Sequence, residues 1–223
     1  MSAPVTPFGD RRQAGAELAV ALEGYRGTES TVMAIPRGGV VVAYEVAVEL
    51  QLDLDVIVPR KLGAPGQPEL AIGAVASWGN HEFIVDEQSV RYLGVSRDYI
   101  QREVDAQLAE VTRRLQAYRN TTDPPDVEGR SVILIDDGIA TGYTTRAAAL
   151  ALRNLKASRI TLAVPVAPPD SLRAIGPYVD EIVCLRTPDP FLAVGYWYRD
   201  FAQVSDEVVI SLLESARSRH LRG

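Results

Sequence analysis

Residues 132–145 read VILIDDGIATGYTT: an apolar strand, two adjacent acids, a turn of small and polar residues, then the start of a helix. A strand that ends on two carboxylates and turns at once into a helix puts those acids at the carboxyl edge of a sheet, where open α/β folds bind ligands. Small residues in the turn let the backbone approach a phosphate, and a helix N-terminus offers unpaired N–H groups and the positive end of a dipole. Thr141, Thr144 and Thr145 add hydroxyl donors. Asp136 and Asp137 would repel a phosphate in contact with them; neutral hydroxyls, from which a carboxylate accepts strong hydrogen bonds, suit them better. A phosphate with a diol beside it meets both halves, and ribose 5-phosphate is such a ligand. Acid pairs at strand ends also hold magnesium in phosphatases and receiver domains, and Thr-Gly turns cap many helices. The segment carries neither a G-x-x-x-x-G-K-[ST] loop nor a G-x-G-x-x-G fingerprint.

The rest of the chain supplies the other layers. Strand-like runs at 31–35, 53–59, 131–136, 159–166 and 181–185 alternate with helical stretches at 10–24, 39–51, 144–156 and 168–176. That alternation predicts parallel βαβ units in a doubly wound sheet with helices on both faces. AIGAVAS and EFIV, joined by Trp78, Gly79, Asn80 and His81, predict a β-hairpin. RKLGAPGQPE reads as a polar, flexible stretch. Ile100, Val104, Leu108, Val111 and Leu115 keep helical spacing, so a long helix is expected over 96–119 with Ser96 as N-cap. A last helix is expected over 205–220. The reading is one domain over residues 1–223, with a small hood drawn from 66–120 and 186–204.

Charge narrows the partners. A formal net charge of -6 and a pI near 5.0 argue against a broad nucleic-acid surface. They leave room for a local basic pocket. The single cysteine, Cys184, sits in the run EIVCL, fits a reducing compartment and reads as a buried strand thiol. MSAPVTPFGDRR lacks the apolar core of a signal peptide, and no apolar run is long enough to span a bilayer. A cytoplasmic protein without membrane partners is the expectation. His81 and His220 fall outside the motifs and read as surface or structural residues.

VILIDDGIATGYTT resembles the phosphoribosyl-pyrophosphate signature of type I phosphoribosyltransferases, and the wider chain looks like bacterial stand-alone phosphoribosyltransferase-domain proteins. It departs at Gly138, where the family more often has a larger apolar residue. The resemblance implies that Asp136 and Asp137 hold the ribose hydroxyls. It also implies that Ala140, Thr141, Gly142, Tyr143, Thr144 and Thr145 cradle the 5-phosphate.

Two more segments agree with it. Ile35-Pro36-Arg37-Gly38-Gly39 resembles the family's pyrophosphate-binding loop, which often carries an unusual cis peptide. There Gly38 and Gly39 would permit the strain and Arg37 would clamp a phosphate. By itself the run could equally be an ordinary strand-to-helix turn. Arg60 and Lys61, on the mobile stretch expected after the second strand, suit a departing pyrophosphate whose charge grows as its bond breaks; a solvated surface turn is the plain alternative.

The acceptor end is less defined. PFLAVGYWYRDF, residues 190–201, resembles the aromatic-Val-Gly-Tyr…Asp segment of 6-oxopurine phosphoribosyltransferases. Phe191 and Trp197 are candidates for stacking on a base and Asp200 for a metal ligand; a buried hydrophobic patch is the competing reading. The family implies magnesium, with Asp136 and Asp137 among its ligands, a homodimer, and transfer of 5-phosphoribosyl to a nitrogen acceptor such as a nucleobase. A regulator that senses phosphoribosyl pyrophosphate or a nucleotide on the same fold is the rival, and a magnesium-dependent phosphatase or receiver-like protein the third class.

Overall fold

The structure, a computed structural model, describes residues 6–76, 78 and 83–220. Its centre is a five-stranded parallel sheet in the order β2-β1-β6-β7-β8. These strands are β1 (Thr31–Ala34), β2 (Asp53–Val56), β6 (Ser131–Ile135), β7 (Arg159–Val166) and β8 (Glu181–Arg186). The doubly wound expectation holds. Alternate strand residues face opposite sides, so Val32, Ala34, Ile133 and Ile135 enter one core while Met33, Val132, Leu134 and Leu162 enter the other.

Helices α1 (Arg11–Ala21), α2 (Gly38–Leu50) and α7 (Asp206–His220) cover the first side. Helix α5 (Tyr143–Asn154) covers the second with its alanine-rich face, Ala147, Ala148 and Ala151, backed by Ile175 of α6 (Pro169–Ile175). Asp10 caps α1 by accepting from the Gln13 N–H at 2.8 Å. The buried reading of GVVVAYEVAVELQ is the one realised: Val40, Val42, Ala43 and Val46 are fully buried. Cys184 lies half-buried in β8, its thiol pushed up to about 11 by burial.

A second, three-stranded antiparallel sheet, β3 (Pro59–Ala64), β4 (Gln67–Ala76) and β5 (Phe83–Val85), forms the hood. The expected hairpin is its β4–β5 part. Of its turn residues only Trp78 is described; His81 lies outside the described residues. RKLGAPGQPE, expected as a flexible stretch, is instead the β3–β4 hairpin. Pro65-Gly66 makes its turn, with Gly66 at φ +71, which fits a Pro-Gly type II turn. A short helix that the sequence pattern does not announce, α3 (Glu87–Tyr92), follows β5 and is capped by Asp86.

Helix α4 (Arg97–Arg119), capped by Ser96 as expected, fastens the hood to the main sheet. Its first half, Ile100 and Val104, packs on Leu62, Ala64, Ile72 and Val75. Its second half, Val111, Leu115 and Tyr118, enters the main core.

Candidate active site

Strands β1 and β6 are parallel neighbours with Ala34 opposite Ile135, so the loops leaving their carboxyl ends emerge side by side. The Ile35 N–H donates to the Ile135 carbonyl at 2.8 Å. The loop after β1 has a cis Pro36–Arg37 peptide and enters α2 at Gly38. The loop after β6 carries Asp136 and Asp137. The two loops touch: a β-carbon on Gly38 would lie 1.9 Å from Asp137 Oδ2, and one on Gly39 would lie 3.0 Å from the Asp136 α-carbon. The cis peptide expected in this loop is present, with both glycines directly after it. Neither has a positive φ; what Gly38 provides is room for the Asp137 carboxylate.

The acid pair is internally organised. Asp136 Oδ1 accepts from the Asp137 N–H at 2.8 Å. Asp137 Oδ2 accepts from Arg11 Nε at 2.7 Å, with side chains only 15% and 11% exposed. Burial, then the neighbouring Asp137 carboxylate, hold Asp136 well above the usual carboxylate range. Burial also raises Asp137, against the pull of Arg11.

A raised folded pKa has a definite sign in stability. Below the ordinary value of about 3.8 the Asp136 carboxyl is neutral folded or unfolded. Above it the unfolded chain ionises first, so stability is lost as pH rises toward the folded value. Asp136→Asn, which keeps the Oδ1 acceptor, is therefore expected to raise Tm at neutral pH. The gain should shrink as the buffer is taken down to about pH 4; calorimetric melts across that range check it. A gain that persists undiminished at low pH would exclude ionisation as its cause.

Beyond the acids, Ile139 is buried, its N–H bonded to the Val166 carbonyl at 2.9 Å, while Ala140 and Thr141 are exposed. Gly142, at φ +76, opens α5, and no side chain caps the helix. The first turn of α5 thus has no side-chain cap, the condition under which a helix N-terminus can take an anion. Thr145 is buried, its hydroxyl without a hydrogen-bond partner; Thr144 is half-buried. Tyr143 is turned away. Its hydroxyl donates to Asp86 Oδ2 at 2.7 Å and its ring lies under the Arg146 guanidinium, so only its backbone faces the turn. That bond and those from Ser89 bring Asp86 down to about 2.

The expected pyrophosphate side is built differently from its sequence reading. Arg60 and Lys61 sit in a strand, not a mobile loop, so successive side chains point to opposite faces. Arg60 is half-buried and donates to Gln107 Oε1 of α4 at 3.0 Å; Lys61 is exposed. Burial, then the like charges of Arg114 and Arg37, bear on Arg60. No motif marks Arg114, on α4; its Nε donates to Glu110 Oε1 at 2.7 Å. Arg37 is exposed, 3.8 Å from Asp206, which in turn accepts from the Tyr118 hydroxyl at 2.5 Å. Gln107, Glu110, Arg114 and Tyr118 fall three or four residues apart, so one polar face of α4 runs past both arginines.

The aromatic stretch reaches the acids through a residue other than the two candidates. Tyr198 is buried and its hydroxyl donates to the Asp137 carbonyl at 2.5 Å. Phe191 and Trp197 are half-buried and stack on each other, centroids 6.5 Å apart. Val194 covers Gly138: a β-carbon there would lie 2.5 Å from Val194 Cγ1. Arg11 completes the arrangement, donating through Nη1 to the Ala202 carbonyl at 2.8 Å with Phe201 3.8 Å from its guanidinium. Asp200 is exposed and accepts from the Ala202 N–H at 3.0 Å. Among the described residues no three His, Cys, Asp or Glu side chains gather into a metal-holding group, so Asp200 does not join the acid pair.

The family profile described as phosphoribosyl transferase domain matches residues 10–196. A Mycobacterium tuberculosis protein, provisionally named a phosphoribosyl transferase, is 43% identical over 210 residues; the match covers 94% of this chain and 47% of the relative. The chain therefore spans about half the length of that relative. A uracil phosphoribosyltransferase of Lactobacillus gasseri is 34% identical over 88 residues, covering 38% of this chain and 42% of its own. Among solved structures, TT1426 from Thermus thermophilus is 40% identical, with a TM-score of 0.78, covering 94% of this chain and 99% of that one.

Proposed function

The chain belongs to the phosphoribosyl transferase domain family, and from that premise we propose that it moves 5-phosphoribosyl from phosphoribosyl pyrophosphate to a nitrogen acceptor, a nucleobase or related heterocycle, releasing pyrophosphate. One observation carries the reading. The Arg37-Gly38-Gly39 loop lies against the Asp136-Asp137 loop, so a pyrophosphate group, a diol and a 5-phosphate could be held by three adjacent stretches of chain.

In this reading the first-turn N–H groups of α5, with Thr141, Thr144 and the buried Thr145 hydroxyl, cradle the 5-phosphate. Asp136 and Asp137 accept from the ribose hydroxyls and fix the ring. Arg37 and Arg60, joined by Arg114, stabilise charge growing on the pyrophosphate as the bond to C1 breaks. Lys61, on the other face of β3, has no such neighbour in the reading. The segment 191–201 offers the acceptor a place beside Tyr198 and Val194.

Magnesium fits the acid pair: two neighbouring carboxylates whose ionisation burial opposes would gain from a divalent cation, which would take its other ligands from substrate oxygens and water. When bound it would supply charge neutralisation at the leaving group. No helix is long and apolar enough to cross a membrane among the described residues. Action in the cytoplasm and as a homodimer complete the proposal.

The test is pyrophosphate release from phosphoribosyl pyrophosphate and magnesium with a panel of bases, alongside calorimetric binding. Release that depends on a base is expected, with Asp137→Asn slower by roughly 10- to 100-fold, the worth of a charged hydrogen bond. Binding without turnover on a broad panel would reassign the chain to sensing. A folded protein that binds neither phosphoribosyl pyrophosphate nor ribose 5-phosphate would end the reading.

A further inference from the structure

Arg11 stands where three distant stretches of sequence meet, and nothing in its own surroundings in the sequence marks it. It is the first residue of α1 and is nearly buried, whereas its neighbour Arg12 is 61% exposed and pairs with Glu45 at 2.7 Å. A buried guanidinium requires its donors to be satisfied. Arg11 directs Nε to Asp137 Oδ2 at 2.7 Å and Nη1 to the Ala202 carbonyl at 2.8 Å. Its planar face lies 3.8 Å from the Phe201 ring centroid and 6.0 Å from that of Tyr198. The Tyr198 hydroxyl closes the circuit on the Asp137 carbonyl.

The consequence is geometric. Asp137 Oδ2 lies between Arg11 on one side and Gly38 on the other, so the guanidinium holds this carboxylate in the space that glycine leaves open. A side chain that must meet a ribose hydroxyl at hydrogen-bond distance gains from being held in advance. The same guanidinium grips the 198–202 segment through a carbonyl and an aromatic face. We propose that Arg11 is a positioning residue: it fixes the Asp137 carboxylate for the ribose and ties it to the acceptor segment. The inference rests on the ribose reading of Asp137 given above. Lysine reproduces only part of the arrangement, because a point charge can bond Asp137 but cannot also hold the carbonyl and stack on Phe201.

Because Arg11 acts through Asp137, its effect should appear on one ligand fragment and vanish when Asp137 is gone. Ribose 5-phosphate and pyrophosphate are titrated separately into wild type and variants by calorimetry. Arg11→Met is expected to weaken ribose 5-phosphate about tenfold or more and to leave pyrophosphate within about twofold. Arg11→Lys should recover part of the loss, and Arg12→Met should bind both fragments as wild type does. In an Asp137→Asn background, Arg11→Met should add less than about twofold.

Wild-type binding of ribose 5-phosphate with no change in Arg11→Met overturns the inference. So does an equal loss on both fragments, or a full loss in the Asp137→Asn background, either of which marks a structural role. If Arg11→Met does not fold, Arg11→Lys and Arg11→Gln carry the same comparison. A folded wild type that binds neither fragment defeats the functional reading itself, which is a different result.

Discussion

Gly38→Ala is expected to cost the protein its affinity for ribose 5-phosphate while the fold survives. The added methyl would sit 1.9 Å from Asp137 Oδ2, 2.6 Å from its Cγ and 2.8 Å from Arg11 Nε. Contacts that short do not exist, so something must move. Helix α2 cannot easily withdraw, since Val40, Val42, Ala43 and Val46 anchor it in the core. Strand β6 is held between β1 and β7. The mobile partner is the Asp137 side chain, which would have to leave Arg11. Overpacking of this kind costs about 1–3 kcal/mol, so Tm should fall by several degrees rather than collapse. On the proposed reading of Asp137 the ribose also loses the orientation of its second acid, and affinity for ribose 5-phosphate should drop on the order of 100-fold. Gly24→Ala is the control, because a β-carbon there meets nothing within 4 Å. Calorimetric titration with thermal melts decides it: near-wild-type affinity in Gly38→Ala would mean that the Asp137 orientation does not matter to binding.

How much of this is legible in the sequence depends on what each signal measures. Strand–helix alternation and capping residues act locally, so the parallel sheet, the Asp10 and Ser96 caps and the strand–acid–acid–turn–helix unit can be read directly. Arg11 and Arg114 cannot. Each is one of many charged residues on amphipathic helices, and only tertiary packing turns it from solvent toward Asp137 or toward Arg60. Arg60 and Lys61 mislead for another reason. The Pro65-Gly66 pair reads as flexibility but is a tight turn, and a strand separates what a loop would have kept together. Tyr143 lies within the signature, yet its side chain serves Asp86 of the hood, a partner 57 residues away. Phe191 and Trp197 show the limit of composition: an aromatic-rich run announces stacking but not which ring faces the site.

The departure at Gly138 can be tested by restoring bulk where the family more often has it. Gly138 has φ +159 and is covered by Val194. A β-carbon there would meet Val194 Cγ1 at 2.5 Å, Val166 Cγ1 at 3.1 Å and Val194 Cγ2 at 3.2 Å. The apolar volume over this turn is thus supplied from residue 194 instead of residue 138. Two penalties should add in Gly138→Val: about 1–3 kcal/mol from overpacking and a further ~1–3 kcal/mol from a β-branched residue at a backbone angle suited to glycine. In a chain of this size each kcal/mol lowers Tm by roughly 2–4 °C, so a loss on the order of 10 °C is expected. Val194→Ala removes two of the three close methyls, the nearest included, and leaves the Val166 contact and the backbone penalty untouched. The double variant should therefore recover about half of the loss, and the two substitutions should be non-additive because they share one contact. Full recovery would show that the backbone at 138 carries no strain. No recovery would show that Val194 is not what excludes a side chain, and that residue 194 does not lie over the acid loop as described.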